Sequence, residues 1–304
     1  MKLVIFGCGS IAHRIAKGCK LVDNLELVGF AARDKQRAKE YADMYECKVY
    51  GTYDDFLDSD VDAVFIATYN LNHYELIKKC LEHHKHVICE KPMLTSVKEN
   101  DEMFELAKQN NCLLMEAYKA VFLPITSTVK QMMKDGVIGE IKHLEASFIR
   151  NGNHPKDHWI QDSKTGGCLR DLGCYTIATM NYLLDKKPTL VYKDYNMTNE
   201  HSDTFAEVIL DYDGISAHSL TSNDCDGDSS LIVSGTKGYI KVDNFWKVSK
   251  GYYVCEGQRH EIEVEMINDF YYELKHFADL VDNNILESPI ITKQFCDNKL
   301  IITQ

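Results

Sequence analysis

Residues 2–6, Lys-Leu-Val-Ile-Phe, form a short apolar run, and Gly7-Cys8-Gly9-Ser10-Ile11-Ala12 follows at once. The run's length and branched side chains predict a buried strand. From Ile11 the period becomes helical, with Ile11, Ile15, Cys19 and Val22 on one side. Strand, glycine turn and helix in that order open a βαβ unit. Few other folds start this way. Each small residue has a job there. Gly7 permits the tight turn, Gly9 lets the backbone approach a pyrophosphate, and Ala12 allows close helix–strand packing. The N–H groups of Ser10 and Ile11, at the positive end of the helix dipole, then face the phosphates. The spacing therefore predicts a dinucleotide site, NADP or NAD.

The alternation continues. Strands are expected over 25–32, 47–50, 62–67, 86–89 and 112–115, and helices over 35–44, 53–57, 72–83 and 97–109, with Asp34 as N-cap of the second helix. Strands alternating with helices imply a doubly wound parallel sheet. After about residue 120 the rhythm changes. Helices are expected over 124–134, 169–184 and 269–282, with a strand over 141–150. From 190 to 266 strands are separated by turn signals such as Asp213-Gly214 and Thr236-Lys237-Gly238, which predicts a large, mostly antiparallel sheet. The chain of 304 residues suits two domains. They are a Rossmann domain over 1–120 and an α+β domain for substrate binding and oligomerisation over 121–304.

The end of the second strand bears on the cofactor. An NAD site places an acid there for the ribose hydroxyls. Here Ala31-Ala32-Arg33 supplies an arginine, which attracts the 2′-phosphate of NADP, the preferred cofactor. Asp34 is either a displaced ribose acid or the helix cap, and the cap is the simpler reading.

Composition narrows the partners. The net charge of −12 disfavours nucleic acid and anionic membrane. No apolar run approaches the ~20 residues of a membrane span. None of the 11 cysteines forms a C-x-x-C pair, so they read as thiols of a reducing cytoplasm. His83, His84 and His86 lack an acid or cysteine to complete a metal set. His154, Asp157 and His158 fall in a polar loop that reads better as pocket lining than as a zinc site, and better still as a plain loop.

The segment from Thr68-Tyr69-Asn70-Leu71-Asn72-His73 to Lys85-His86-Val87-Ile88-Cys89-Glu90-Lys91-Pro92 resembles the T-P-N-x-x-H and E-K-P motifs of one family. It is the glucose–fructose oxidoreductase / inositol dehydrogenase (Gfo/Idh/MocA) family. Gly166-Gly167-Cys168-Leu169-Arg170-Asp171-Leu172-Gly173-Cys174-Tyr175 is similar to its second motif. Tyr175, Met115-Glu116-Ala117 and Ala31-Ala32-Arg33-Asp34 look most like the branch with dimeric dihydrodiol dehydrogenase and NADP-dependent xylose dehydrogenase.

The resemblance implies redox chemistry on a carbohydrate-like substrate, a sugar, polyol or diol, by a homodimer or homotetramer joined through the open sheet. It implies that Thr68, Asn70, His73, Glu90 and Lys91 line the dinucleotide. Lys91 is then the catalytic lysine; Tyr175 is its proton-transfer partner or, if Lys91 is itself the donor, an orienting group, and Asp171 holds either Lys91 or a substrate hydroxyl. A lysine ammonium beside a phenol favours the phenolate, but the order of the two proton roles stays open. Asp171 and Tyr175, four apart in an expected helix, would share a face. Alternative readings are a redox-neutral NAD enzyme that cleaves glycosides, and a non-catalytic dinucleotide sensor. The sequence departs from the family at Tyr69, where proline is usual, and from the branch at Lys119 and Val121. The family's last helix runs further, so Gln304 is expected to be a truncated end.

Overall fold

Lys2 is the one exposed residue of β1 (Lys2–Phe6); the other four are fully buried. A strand apolar on both faces is stable only between covering layers, and β1 lies inside a parallel sheet. The computed structural model describes residues 1–152, 154–155, 158–162, 165–196 and 202–303. Contacts divide the chain into two units, Met1–Ala117 with Phe270–Asp297, and Tyr118–Asp269 with Asn298–Gln304.

The first unit holds β1, β2 (Glu26–Ala31), β3 (Val49–Gly51), β4 (Ala63–Ile66), β5 (His86–Glu90) and β6 (Leu114–Ala117). Their order is β3-β2-β1-β4-β5-β6, and every pairing is parallel. The order reverses between β1 and β4, the point where such sheets bind ligands at their carboxyl ends. The helices are α1 (Ser10–Cys19), α2 (Lys35–Tyr45), α3 (His73–Glu82) and α4 (Val97–Gln109). A core of Val4, Phe6, Val64, Ile66, Val87 and Cys89 packs under Leu76, Ile77 and Met103 of α3 and α4. The expected helix over 53–57 is a single 3₁₀ turn, Asp54–Phe56.

The second unit opens with α5 (Lys119–Phe122) and α6 (Pro124–Lys134), followed by β7 (Ile141–Ile149). The helix expected over 169–184 is two structures. Leu169–Gly173 form a π-helical turn, and only Cys174–Leu184 (α7) is α-helical. Seven further strands follow: β8 (Thr189–Asn196), β9 (Phe205–Tyr212), β10 (Ile215–Ser222), β11 (Ser230–Gly235), β12 (Gly238–Asp243), β13 (Lys250–Cys255) and β14 (Gln258–Glu263). The eight-stranded sheet has the order β14-β13-β12-β11-β7-β10-β9-β8, antiparallel except where β7 meets β10. Asp213 and Gly214, at φ of 51° and 85°, make the two-residue turn between β9 and β10. The last helices are α8 (Tyr271–Asp282), which belongs to the first unit, and α9 (Lys293–Thr303), which begins in the first unit and ends in the second.

One face of this sheet is buried through Leu144, Ala146, Val208, Leu210, Ala217, Val233 and Ile240. The alternate residues form a register row across all eight strands, Tyr192, Ile209, His218, Glu145, Ile232, Lys241, Tyr252 and Glu261. Every residue of that row is partly or fully exposed. Of the chain's ends, Gln304 lies outside the described residues.

Candidate active site

The two glycines after β1 do different work. Gly7 has a φ of +108°, and a Cβ there would sit 2.4 Å from the carbonyl oxygen of Ala67, which follows β4. Its N–H donates to the Ala31 carbonyl at 2.8 Å. Packing alone therefore requires glycine. Gly9 is extended, with φ −105° and ψ −177°, and is the N-cap of α1. Nothing lies within 4 Å of the place a Cβ would occupy. No side chain caps α1 and no acid stands in its first turn. Ser10 is exposed, Ile11 half-buried and Ala12 fully buried. An uncapped helix start with open space before it fits a pyrophosphate, whose oxygens take up the unpaired N–H groups.

The second helix holds this turn in place. Arg37 Nε donates to the Cys8 carbonyl at 2.8 Å, and the Tyr41 hydroxyl donates to the Gly9 carbonyl at 3.2 Å. Asp34 Oδ1 accepts from the Gln36 N–H at 2.9 Å, so this carboxylate is the helix cap. Arg33 is exposed at the end of β2. Arg37, one helical turn further on, escapes a reading confined to the strand end. Its signal was the four-residue spacing to Arg33.

Lys91 is carried on a turn fixed from both sides. The Lys91–Pro92 peptide is cis. The His73 ring, 1% exposed, lies between two carbonyl oxygens, with Nδ1 3.0 Å from Pro92 and Nε2 3.1 Å from Thr68. Burial holds its pKa below the ordinary histidine value, while the carbonyl contacts oppose that shift. A neutral ring donates to one carbonyl at a time. Glu116, also 1% exposed, accepts the Met93 N–H at 2.8 Å. The Lys91 N–H reaches Glu90 Oε2 at 3.3 Å. Glu90, the last residue of β5, and Lys91, just past it, are half-buried, Asn70 is buried, and Thr68 is half-buried. A role for Glu116 was signalled by one carboxylate next to the apolar run Leu113-Leu114-Met115 and by the Met115-Glu116-Ala117 resemblance, neither of which pointed to the Met93 N–H.

Asp171 and Tyr175 belong to the second unit. The π-helical turn breaks the uniform spacing that would stack them on one α-helical face. Asp171 is 5% exposed, and its Oδ2 lies 3.4 Å from Arg150 Nη2. Tyr175 is half-buried and meets the Phe148 ring edge-on at 5.6 Å. Asp203 caps the turn, accepting from the Leu169 N–H at 2.7 Å and the Cys168 thiol at 3.1 Å. Lys119 is buried and ion-paired with Asp269.

His154 stacks on His158 at 4.4 Å, and Asp157 lies outside the described residues. His83 pairs with Asp58 at 2.9 Å, His84 contacts the Asn110 carbonyl at 3.3 Å, and His86 accepts the Leu113 N–H at 2.9 Å. No cluster of three metal-ligating side chains occurs among the described residues. No helix of the described residues is long and apolar enough to cross a membrane.

Known proteins share this architecture. Residues 1–118 match an oxidoreductase family with an NAD-binding Rossmann fold, and residues 126–241 match the Gfo/Idh/MocA C-terminal domain. A trans-1,2-dihydrobenzene-1,2-diol dehydrogenase of Mus musculus is 30% identical over 284 residues, 88% of this chain and 83% of that protein. A scyllo-inositol 2-dehydrogenase (NADP(+)) of Bacillus subtilis is 27% identical over 299 residues, 95% of this chain and 90% of that protein. The fold of a 3-ketoreductase from Actinomadura kijaniata, solved with NADP and TDP-benzene, matches at a TM-score of 0.90 and 23% identity. That match covers 99% of this chain and 94% of that one. The chain belongs to the Gfo/Idh/MocA oxidoreductase family. It is an NAD(P)-dependent oxidoreductase.

Proposed function

We propose that the chain is an NADP-preferring dehydrogenase acting on a sugar, polyol or diol. The observation that carries this reading is the Lys91 turn. A half-buried lysine stands past the carboxyl end of the central sheet, on a turn held by His73 through Pro92 and by Glu116 through Met93. A lysine with only a solvated surface role has no need of two buried side chains on its own turn. The relatives named above act on a diol and on an inositol, which supports the substrate class.

Gly7, Gly9, Ser10, Ile11 and Ala12 hold the pyrophosphate. Arg33 takes the 2′-phosphate, with Arg37 beside the same turn. Thr68, Asn70, His73 and Glu90 shape the nicotinamide end. When bound, the nicotinamide supplies the acceptor or donor of hydride. Lys91 and Tyr175 move the hydroxyl proton, which leaves the carbinol in oxidation and returns to the carbonyl oxygen in reduction. Asp171 orients the substrate hydroxyls. The exposed row of the eight-stranded sheet, with Tyr192, Ile209, Ile232 and Tyr252 among its residues, is the surface that joins chains into a homodimer or homotetramer. A reducing cytoplasm suits buried thiols such as Cys19, Cys80 and Cys112.

Lys91→Ala tests the mechanism. Removing a proton-transfer group costs ~10²–10⁴-fold in turnover. A loss of that size with NADPH affinity changed less than about threefold is the expected result. A variant that turns over at the wild-type rate removes Lys91 from the chemistry.

A further inference from the structure

Next to Asp171 and Tyr175 the second unit carries a pocket of about 290 Å³, lined in part by Phe148, Arg150, Asp228, Asn244, Trp246 and Lys247. Phe148, near the end of β7, and Trp246, between β12 and β13, stack face to face at 3.6 Å and 18°. The Arg150 guanidinium lies 5.7 Å from the Phe148 ring centre, and the Lys247 ammonium 5.5 Å from that of Trp246. The pocket is continuous with the residues already described. The Phe148 ring that forms its wall meets Tyr175 at 5.6 Å, and Arg150 reaches Asp171 at 3.4 Å.

The charge of this pocket runs against that of the chain. The whole chain carries −12. The one acid on the wall, Asp228, is engaged by the Lys241 ammonium and the Ser230 hydroxyl, each at 3.3 Å. Lys247 has no ion-pair partner among the described residues. Arg150 makes a single long contact to Asp171, which leaves most of its five-donor fork for another acceptor. Asn244 is exposed at the rim. A neutral polyol needs no cation pair to be recognised. A carboxylate or phosphate does, because hydrogen bonds from cations to anions are roughly twice as strong as neutral ones. The volume is near the lower end for small-molecule sites, ~300 Å³, and fits one sugar-sized group against the aromatic wall.

We propose that this pocket is the subsite for an anionic substituent of the substrate, a carboxylate or a phosphate, at the end away from the reacting carbinol. It rests on the reading of Asp171 and Tyr175 as residues that meet the substrate. Arg150 and Lys247 grip the anion, and Trp246 packs on the carbon skeleton. The physiological substrate is then a sugar acid or sugar phosphate rather than a neutral sugar.

Calorimetric titration of the NADP⁺-loaded protein with glucose, glucuronate and glucose 6-phosphate is the test. At least one anion is expected to bind tenfold or more tightly than glucose, and which one identifies carboxylate or phosphate. Lys247→Glu is expected to weaken that anion at least tenfold while leaving glucose unchanged, and added salt should narrow the gap. Equal affinities for all three ligands, or anion binding untouched in Lys247→Glu, overturns the subsite. The underlying reading fails separately. Anion binding that depends on Lys247, without any reduction of NADP⁺, contradicts the dehydrogenase and leaves the subsite standing. Oxidation of glucose with no advantage for the anions does the reverse.

Discussion

Gly7 and Gly9 share a motif but not a reason. The first is required by a positive φ and by the Ala67 carbonyl, the second by nothing in the protein. Gly7→Ala should therefore unfold at a markedly lower temperature, at a cost of ~2–4 kcal/mol from strain and overpacking. Gly9→Ala should cost only about 1 kcal/mol or less, because alanine is a poorer N-cap than glycine but its methyl meets no protein atom. It should instead weaken NADPH about tenfold or more, because its methyl occupies the space left for the pyrophosphate. Thermal unfolding without ligand and NADPH titration of both variants check this. A Gly9→Ala protein as unstable as Gly7→Ala contradicts the division of labour. Position in a motif made the structural roles of Gly7, Gly9, Ala12 and Asp34 legible. Arg37, Tyr41, Glu116 and Asp203 were not, because each meets a backbone group that only the fold brings near.

Elements were legible where local signals agree. Ser96 caps α4 by accepting from the Glu99 N–H, Pro124 opens α6, and both helices keep the bounds their pattern predicts. The π-helical turn at Leu169–Gly173 has no such signature. Its start is held by Asp203, more than thirty residues away in sequence. Helix α9 was missed because Asp297, Asn298 and Lys299 are buried along with Phe295, Cys296 and Leu300, which erases the apolar stripe. The eight-stranded sheet shows what alternation leaves open. One face is buried, and the other carries Ile209 and Ile232 in a partly exposed row. Edge strand β8 exposes Leu190, Val191, Tyr192 and Tyr195, an apolar edge open to pairing. Light scattering should give two or four times the 34.8 kDa of one chain, and Ile232→Glu should shift it toward one. A monomeric wild-type chain would remove the sheet from assembly.

At the scale of the whole molecule, strand–helix alternation was enough to foresee the parallel sheet, and the turn signals between strands foresaw the antiparallel one after it. It did not show that Phe270–Asp297 returns to the first unit, since a helix pattern does not say where the helix docks. The family follows from motifs that match over both units. The substrate does not, because it is chosen by loop residues such as Arg150 and Lys247, which pattern leaves unconstrained. The proposed chemistry is hydride transfer between NADP(H) and a carbohydrate-like carbinol. Absorbance at 340 nm, followed with aldoses, polyols, diols and their acids and phosphates, tests it most directly. A substrate-dependent change that is faster with NADP(H) than with NAD(H) is the expected result. NADPH that binds while no member of the panel changes the signal would contradict it.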